Sequence, residues 1–303
     1  MRKFKVTDDF KNSLQVYVFD DVKKNKGIIQ LVHGINEHGM RYEEFAQFLN
    51  EKGYVVYIYD QVSQGLSRTE LDKDVVYFGD NGGDVLVNGF NTVRTKIRMD
   101  YPDSKIYVFG HSLGSMVIRK YLLDFNNEYE KIILNGGGFS DTKGLGFIIL
   151  VGNVLKLFKK KKPSKFFDNI FRQTQLKLNE KVKIDHFIEW LTRDKEKTKS
   201  NLEDPYLYIR LSVSVFVDML KAIKEINNIN RIKSRKVDAK ILLLSGTHDA
   251  ATNFGADTKL LNQVFNEAGY DSRVLLYEEG RHDTLQEINR EEVFEDIINF
   301  IEK

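Results

Sequence analysis

Short, almost unbroken apolar runs alternate with helix-like segments along most of this 303-residue chain, and this alternation restricts the fold more than any other feature. Residues 54–60, for example, have the continuous apolar and aromatic character of a strand that is buried on both faces. Strands that alternate with helices in this way form a mostly parallel sheet with helices on both sides. Seven runs are predicted to be its strands: residues 14–19, 27–32, 54–60, 105–109, 131–136, 240–246 and 273–280.

The alternation stops after residue 139, and the chain then has helical, basic and polar segments with no convincing strand as far as residue 236. It resumes at residue 240 with a strand, a helix, a second strand and a last helix. A chain of this length can form one large α/β domain with an insertion. We therefore predict a doubly wound α/β core made of residues 1–139 and 237–303, with a helical cap formed by residues 140–236.

Composition and short motifs exclude several classes of function. The chain has no cysteine, which excludes disulfides, thiolate catalysis and zinc–thiolate sites. Its formal net charge of +2 gives no overall electrostatic reason to expect nucleic acid binding. Neither H-E-x-x-H nor a G-x-x-x-x-G-K-[ST] phosphate loop occurs, so we expect no metal and no organic cofactor. The N-terminal residues lack the apolar stretch of a secretory signal, and we therefore expect a cytoplasmic protein.

The strongest chemical signal is Gly-His-Ser-Leu-Gly at residues 110–114, which follows the strand at 105–109 and precedes a helical segment. This is the G-x-S-x-G pattern in the strand–turn–helix context that such a nucleophile requires. The turn must be sharp enough to raise the serine hydroxyl above the sheet, which excludes bulky neighbours. We therefore predict Ser112 as a nucleophile. The alternative is a glycine-rich turn that only joins the strand to the helix.

A serine nucleophile needs a base, and the base needs an orienting acid. In enzymes with this motif the chain order is Ser, then acid, then His. Asp249 follows the strand at 240–246, and His282 follows the strand at 273–280. These are the strand ends at which open α/β sheets place their sites. We therefore predict Asp249 as the acid and His282 as the base.

Three other residues remain alternatives for these roles. Asp283, which is adjacent to His282, and Glu279 are alternative acids, and His248 is an alternative base. Adjacent residues rarely face each other with a suitable geometry, which argues against Asp283. The same geometric requirement argues against His248.

A His33-Gly34 turn directly follows the early strand at residues 27–32, and it indicates one half of an oxyanion hole. The backbone N–H groups of Ile35 and Leu113 would then bind the oxyanion, and the loss of one such donor costs about 3 kcal/mol of transition-state stabilisation. His33 could instead bond backbone groups of the loop. The two roles are compatible, because a bonded turn holds its donors in place.

The pattern H-G-x-x-E-H-x-x-R-Y at residues 33–42, followed by G-H-S-L-G, resembles the monoacylglycerol lipase and lysophospholipase group of α/β-hydrolases. Residues 190–194, 204–205 and 280–282 resemble further segments of this group, so the resemblance covers nearly the whole chain. It implies an α/β-hydrolase fold with an inserted helical cap. It also implies a serine hydrolase that needs no cofactor and cleaves carboxylic esters of monoacylglycerol-like or lysophospholipid-like lipids.

The same resemblance assigns site residues. It implies a triad of Ser112, Asp249 and His282, with Ile35 and Leu113 as the oxyanion donors. The other residues of the first motif are expected to stabilise the loop rather than to react: His33, Gly34, Glu37, His38, Arg41 and Tyr42.

The chain departs from this group after its third predicted strand. Where the group often has D-H-x-G-H-G-x-S, residues 60–67 are D-Q-V-S-Q-G-L-S. Gln61 and Gln64 therefore replace two histidines, and Ser63 replaces a glycine. Glutamine donates and accepts hydrogen bonds but does not titrate near neutral pH. We expect the triad to survive these changes and the contacts around it to differ.

The first part of the cap combines an apolar run at residues 147–158 with four consecutive lysines at 159–162. The run is too short to cross a bilayer, which takes about 20 such residues. In one interpretation, the amphipathic segment and its basic end bind an anionic lipid surface, which would make the protein transiently peripheral to a membrane. In the other, the apolar side packs on the core and the lysines are solvated.

Two other kinds of function remain open. A serine aminopeptidase or a thioesterase would use the same triad on a different substrate. A non-catalytic ligand-binding protein could share the fold, since a fold does not determine function. The intact set of Ser, Asp and His argues against such a binding protein.

Overall fold

The computed structural model describes residues 1–69, 74–125, 129–235 and 238–303. Within these ranges it has ten strands: β1 (Arg2–Thr7), β2 (Ser13–Phe19), β3 (Ile28–Val32), β4 (Val55–Tyr59), β5 (Val75–Val76), β6 (Ile106–His111), β7 (Lys131–Asn135), β8 (Arg210–Leu211), β9 (Lys240–Gly246) and β10 (Asp271–Tyr277). The same ranges have ten α-helices: α1 (Glu43–Glu51), α2 (Gly82–Asp100), α3 (Leu113–Asp124), α4 (Leu145–Lys159), α5 (Lys165–Lys181), α6 (Lys195–Glu203), α7 (Val213–Ile226), α8 (Ile229–Ser234), α9 (Ala256–Glu267) and α10 (Arg290–Glu302). Each of the seven predicted strands coincides with an observed one.

Eight of the strands form one sheet in the order β1-β2-β4-β3-β6-β7-β9-β10. The pairs β1–β2 and β2–β4 are antiparallel, and every pair from β4 to β10 is parallel. This order confirms the predicted doubly wound, mostly parallel sheet. Because β3, β6, β7, β9 and β10 all run in one direction, the loops that follow them meet at one edge of the sheet.

The edge strand β1 was not predicted from the sequence. Charged and apolar side chains alternate along it, and none of its residues is fully buried. A strand at the edge of a sheet lacks the continuous apolar run that identifies inner strands, and charges such as Lys3 and Lys5 are typical of an edge.

Helices cover both faces of the sheet. On one face lie α1 and α10, where the rings of Phe45 and Phe294 are 4.8 Å apart between centroids. On the other lie α2, α3 and α9, where Phe90 and Tyr121 meet edge to face at 4.7 Å. All five residues of β4 are buried between the two layers. A large apolar side chain that is fully buried contributes about 1.5–3 kcal/mol, so this double burial stabilises the centre of the sheet.

The chain between β7 and β9 forms helices α4 to α8. A two-residue strand, β8, interrupts them and pairs with β5, so the expectation of an insertion without strands is wrong at this one place. α7 packs against α2 and α3. Its Asp218 accepts a hydrogen bond from the N–H of Gly82 at 3.0 Å and pairs with Lys156 of α4 at 2.9 Å. Within the described ranges, no helix has both the length and the apolar character needed to cross a membrane.

Candidate active site

Ser112 lies at the turn between β6 and α3, at the carboxyl end of a central strand. Its backbone has φ 51° and ψ −111°, a conformation that L-residues rarely adopt. Such a residue carries about 1–3 kcal/mol of strain, which the surrounding structure must offset. The N–H of Ser112 donates to the carbonyl oxygen of Asn135, at the end of β7, at 2.8 Å. The turn therefore has the sharp geometry that G-x-S-x-G predicts.

Close backbone contacts require both glycines of the motif. A Cβ atom at Gly114 would lie 2.2 Å from the carbonyl oxygen of Val32 on β3. A Cβ atom at Gly110 would lie 2.6 Å from the backbone carbonyl carbon of Gly114. Neither position can accept a side chain without a backbone shift, so the start of α3 is held directly beside the end of β3.

His282 and Asp249 form a buried pair on the loops that follow β10 and β9. Nδ1 of His282 lies 3.0 Å from each carboxylate oxygen of Asp249. Asp249 also accepts a hydrogen bond from the N–H of Ala251 at 2.9 Å. Burial alone would raise the pKa of Asp249, but the charge and hydrogen bond of His282 lower that pKa. Burial alone would lower the pKa of His282, and the carboxylate of Asp249 instead raises it.

Ser112 and His282 border one cavity of about 60 Å³. Core residues 34–37 lie along it, together with cap side chains that are mostly apolar or aromatic: Trp190, Leu191, Leu207 and Tyr208. Within the described ranges, the Ser112 hydroxyl makes no hydrogen bond to the imidazole. The His282–Asp249 pair is therefore formed without a hydrogen bond to Ser112. Catalytic hydrogen bonds are often long before substrate binds, so this geometry does not argue against the predicted roles.

The alternative acids and the alternative base have other surroundings. Asp283 pairs with Arg41 at 3.0 Å. Glu279 is exposed, and His248 does not border the cavity. Among these candidates, all of which lie within the described ranges, only Asp249 is hydrogen-bonded to the imidazole that borders the cavity.

The two residues predicted as oxyanion donors lie next to the serine. Leu113 directly follows Ser112 as the first residue of α3, so its N–H has no acceptor in its own helix. The loop after β3 is also close, because a Cβ atom at Gly34 would lie 3.3 Å from the Cβ of Ser112. The N–H of Gly34 is bound by the carboxylate of Glu37, whereas that of Ile35 has no acceptor among the described residues. Ile35 is thus the available donor of this loop.

A buried ion network holds residues 33–38, the loop after β3 that contains the predicted donor Ile35 and is named the oxyanion loop for that prediction. The carboxylate of Glu37 accepts hydrogen bonds from the N–H of Gly34, from Arg41 and from the hydroxyl of Tyr42, the last at 2.7 Å. Arg41 also pairs with Asp283 at 3.0 Å, which links this loop to the one after β10. Burial alone would raise the pKa of Glu37, but the charge of Arg41, the neighbouring histidines and the hydrogen bond of Tyr42 together lower that pKa to about 2.

His33 bonds backbone groups on both sides of the turn. Its Nδ1–H donates to the carbonyl oxygen of Gly34 at 2.7 Å, and its Nε2 accepts from the N–H of Gln61 at 2.9 Å. The side chain of Gln61 donates in return to the carbonyl oxygen of His33 at 2.6 Å. Burial lowers the pKa of His33, so the ring is neutral at pH 7 and this pattern of one donor and one acceptor persists.

The other departures from the family pattern also make contacts. Oε1 of Gln64 accepts a hydrogen bond from the N–H of Asn36, in the oxyanion loop, at 2.6 Å. Ser63 stands where a glycine is frequent and has φ 63°. Its hydroxyl oxygen accepts from the N–H of Tyr77 at 2.9 Å. Gln64 therefore supports the same loop as the buried ion network does.

His38 connects this loop to the cap. Its Nε2 lies 2.7 Å from the carboxylate of Asp204, and its ring contacts Tyr206 edge to face at 5.7 Å. Arg41 adds a hydrogen bond from Nε to Oδ1 of Asn201, on α6, at 3.3 Å. The motif residues thus join the oxyanion loop to the helical insertion as well as to the core.

Trp190 was not among the predicted site residues. It ends a 3₁₀ turn, Phe187–Trp190, and its indole stacks on the imidazole of His282 with 4.8 Å between ring centroids and 22° between ring planes. Trp190 is the only tryptophan in the chain and belongs to a segment that resembles the cap of the hydrolase group. These two sequence features could have drawn attention to Trp190. Its stacking on His282 could not be predicted, because it depends on how the cap folds over the core.

The side chains around the cavity can carry out acyl transfer. A hydroxyl at a strained turn, an imidazole and its paired carboxylate are the groups that this chemistry needs, with backbone donors nearby. Within the described ranges, no three His, Asp or Glu side chains are arranged to hold a metal ion.

Known proteins resemble this chain along nearly its whole length. Residues 23–289 match the family model described as serine aminopeptidase, S33. The chain is 22% identical over 279 residues to the monoacylglycerol lipase of Mycolicibacterium smegmatis, which covers 91% of this chain and 88% of that protein.

Solved structures match the fold. A highly thermostable carboxyl esterase from Bacillus coagulans, in complex with glycerol, superposes with a TM-score of 0.89 at 22% identity and covers 99% of this chain and 97% of its own. A soluble variant of monoglyceride lipase from Saccharomyces cerevisiae, bound to a substrate analog, gives a TM-score of 0.74 at 16% identity, with coverages of 98% and 93%. These matches confirm the α/β-hydrolase fold.

Proposed function

Because this chain belongs to the serine aminopeptidase S33 family of α/β-hydrolases, we propose that it cleaves carboxylic esters through an acyl-enzyme formed on Ser112. The observation that carries the proposal is the buried His282–Asp249 pair beside the cavity that Ser112 also borders. Asp249 holds the imidazole as the Nδ1–H tautomer, which leaves Nε2 free to accept the serine proton. In this proposal residues 1–139 and 237–303 form the catalytic core, and residues 140–236 form its cap.

The reaction has two halves. Nε2 of His282 takes the hydroxyl proton as Oγ of Ser112 attacks the ester carbonyl carbon, and the oxyanion binds the N–H groups of Ile35 and Leu113. The tetrahedral intermediate expels the alcohol, which His282 protonates. Water then attacks the acyl-enzyme and gives its proton to the same imidazole, which returns it to Ser112 as the carboxylic acid leaves. The lowered pKa of Asp249 keeps that carboxylate ionised throughout.

The proposed substrates are lipid esters such as monoacylglycerols or lysophospholipids. Proteins similar to this chain are named monoacylglycerol or monoglyceride lipase. The side of the cavity formed by the cap offers apolar surface to an acyl chain, from Trp190, Leu191 and Leu207.

The charges around the cavity favour an ester over a peptide with a free N-terminus. An aminopeptidase must bind the ammonium group of its substrate, which calls for an available carboxylate. Among the described residues that line the cavity, Glu37 is the only carboxylate. It is already bound by Arg41, Tyr42 and the N–H of Gly34, so it has little capacity left for an ammonium group.

A fluorophosphonate probe and a substrate panel test the proposal. We expect covalent labelling of Ser112, identified by peptide mass spectrometry. We also expect faster turnover of monoacylglycerols and lysophospholipids than of aminoacyl amides or acyl thioesters. Absence of labelling in the folded protein would favour a non-catalytic binder. Preferred cleavage of amides or thioesters would assign the triad to those substrates instead.

We also propose that α4 brings the cap into reversible contact with a membrane surface. Phe147, Leu157 and Phe158 on this helix are 72%, 80% and 79% exposed. The spacing of the exposed apolar residues follows the helical period and places them on one outward face: Phe147, Leu150, Val151, Val154, Leu157 and Phe158. Ile148 and Leu155 pack on the core instead. An apolar face of this kind on a surface helix is typical of an interaction site.

Basic residues next to this face favour an anionic lipid surface over a second copy of the chain. Lys159, Lys161 and Lys162 are exposed at the end of α4, while Lys160 pairs with Asp80. Each lysine near an anionic surface contributes about 1 kcal/mol of attraction, which an equally basic second copy of this face would not supply. The contact would be peripheral, and we place the enzyme in the cytoplasm with this face towards a membrane.

Co-sedimentation with vesicles of phosphatidylcholine, with and without phosphatidylglycerol, tests the contact. We expect binding that needs the anionic lipid and that falls by about tenfold or more in Leu157→Glu/Phe158→Glu, because both apolar anchors become charged. Met99→Glu, at an apolar residue of α2 that is 74% exposed, is the control and leaves binding unchanged. Absence of vesicle binding, or a wild-type dimer that the double variant dissociates, would contradict the membrane assignment.

A further inference from the structure

The indole of Trp190 is placed against the base of the proposed triad. The residue is 8% exposed, and its ring stacks on the His282 imidazole with 4.8 Å between centroids and 22° between planes. A nearly parallel stack presents the π-face of the indole to the imidazole. It also covers the imidazole with an apolar cap residue.

Backbone hydrogen bonds fix this position. Cap residues 189–192 run along the loop at 281–283. Two of their carbonyl oxygens accept from the N–H groups of His282 and Asp283, at 3.4 and 2.8 Å. Two more accept from the guanidinium of Arg281. These bonds hold the backbone of Trp190 beside His282.

The other groups around the imidazole belong to the core. His282 is hydrogen-bonded to Asp249, and the ring of His111 lies 4.8 Å away between centroids. Burial lowers the pKa of His111, so that ring is neutral at pH 7. The remaining charged groups form one network: Asp283, Glu37 and the Arg41 that pairs with both. A substitution of Trp190 leaves all these groups in place, so its effect on His282 can be measured separately.

Acyl transfer turns the imidazole into an imidazolium each time the serine loses its proton. An aromatic face within about 6 Å attracts a cation, most strongly when the face is tryptophan and the site is desolvated. We propose that Trp190 is a positioning residue for His282, whose indole stabilises the imidazolium and holds Nδ1 towards Asp249. This inference rests on the proposed function, because it assigns Trp190 a part in that same acyl transfer.

Two substitutions separate the π-face from simple burial. Trp190→Leu keeps the position apolar but removes the face, and Trp190→Phe keeps an aromatic face. NMR titration of the His282 imidazole carbons measures the charged form without any turnover. We expect a midpoint lower than wild type by about half a pH unit or more in Trp190→Leu, and one close to wild type in Trp190→Phe.

Kinetics give the second readout. The acidic limb of the kcat/KM profile should move to lower pH in Trp190→Leu, and kcat should fall about tenfold, with recovery in Trp190→Phe. Phe187→Leu is the matched control, because this ring belongs to the same 3₁₀ turn but is 48% exposed. It should leave both the titration and kcat unchanged.

The outcomes separate this inference from the proposed function. A Trp190→Leu variant in which His282 titrates as in wild type, or a Trp190→Phe variant as impaired as Trp190→Leu, would overturn the role of the indole. Failure of the fluorophosphonate to label Ser112 would overturn the proposed function instead. The NMR titration would still decide whether the indole stabilises the imidazolium.

Discussion

Both carboxylate oxygens of Asp249 lie 3.0 Å from Nδ1 of His282, and both side chains are almost fully buried. Because the carboxylate can only accept, the pairing places the proton on Nδ1 and sets the tautomer of the ring. It also makes the proposed chemistry depend on pH, because only the neutral imidazole can accept the serine proton.

Activity is expected to fall as the pH drops through the pKa of His282. Since Asp249 raises that pKa, Asp249→Asn should move the acidic limb of kcat/KM to lower pH. It should also lower kcat by about four orders of magnitude, as the same change does in a serine protease triad. Profiles of both proteins with a soluble nitrophenyl ester would measure the two effects. If the acidic limb did not move, it would report the titration of a group other than His282.

Ser112→Ala removes the proposed nucleophile and is expected to lower kcat by about a millionfold, as in a serine protease. Alanine retains the Cβ atom, so the backbone strain at this turn is unchanged. The free energy of unfolding should therefore change by less than about 1 kcal/mol. Ester assays and thermal unfolding together check this, and a folded variant with most of its activity would refute the assignment.

Glu37 is expected to make the fold sensitive to acid. Its pKa is lowered from 4.5 to about 2, so its ionised form stabilises the protein above pH 4.5, and this contribution is lost as the pH falls towards 2. Glu37→Gln should cost about 3 kcal/mol or more at neutral pH, because Arg41 loses a buried partner. It should also weaken the dependence of stability on pH in the acidic range.

Urea unfolding at neutral and acidic pH measures both effects of Glu37→Gln. Glu295→Gln is a suitable control, since this glutamate is half exposed and pairs only with Lys52 at the surface among the described residues. Exposed pairs contribute about 0–1 kcal/mol, so the control should remain near wild type. If Glu37→Gln and wild type lost stability equally in acid, another carboxylate would be responsible for that loss.

Gln64 is expected to affect catalysis through the oxyanion loop. Gln64→Leu removes the acceptor for the N–H of Asn36 and should cost about 1–3 kcal/mol of stability. A loosened loop should lower kcat by about tenfold while KM changes little, because the N–H of Ile35, the proposed oxyanion donor, would act in the transition state. Steady-state kinetics would measure this split. Gln64→His restores the residue frequent in the family. If kcat fell as far in Gln64→His as in Gln64→Leu, histidine could not accept the hydrogen bond from the N–H of Asn36.

The features of this protein that could be predicted from its sequence are those determined by short stretches of the chain. Apolar runs identify strands buried on both faces, and G-x-S-x-G identifies a turn whose shape is set within five residues. The stacking of Trp190 on His282 joins segments far apart in the chain, so no local pattern contains it.

The face of α4 that points outward also could not be predicted from the sequence alone. Helical periodicity groups its apolar residues by face, but both faces of this helix are apolar. The packing of Ile148 and Leu155 on the core shows which face is inward. The inner face and the exposed lysines agree with the second of the two interpretations of residues 147–162, in which the apolar side packs on the core. Membrane contact through the exposed face stays a proposal.

The carboxylate of Asp218 touches three helices at once: it lies on α7, accepts from Gly82 at the start of α2 and pairs with Lys156 of α4. If the insertion swung away as one rigid piece, Asp218 and Lys156 would move together, but the N–H of Gly82 at the start of α2 would lose its acceptor. A buried N–H left without a partner costs about 1–3 kcal/mol, so this bond holds α7 against α2. Movement of Leu207 and Tyr208, which line the cavity, would widen it without breaking the contact between α7 and α2.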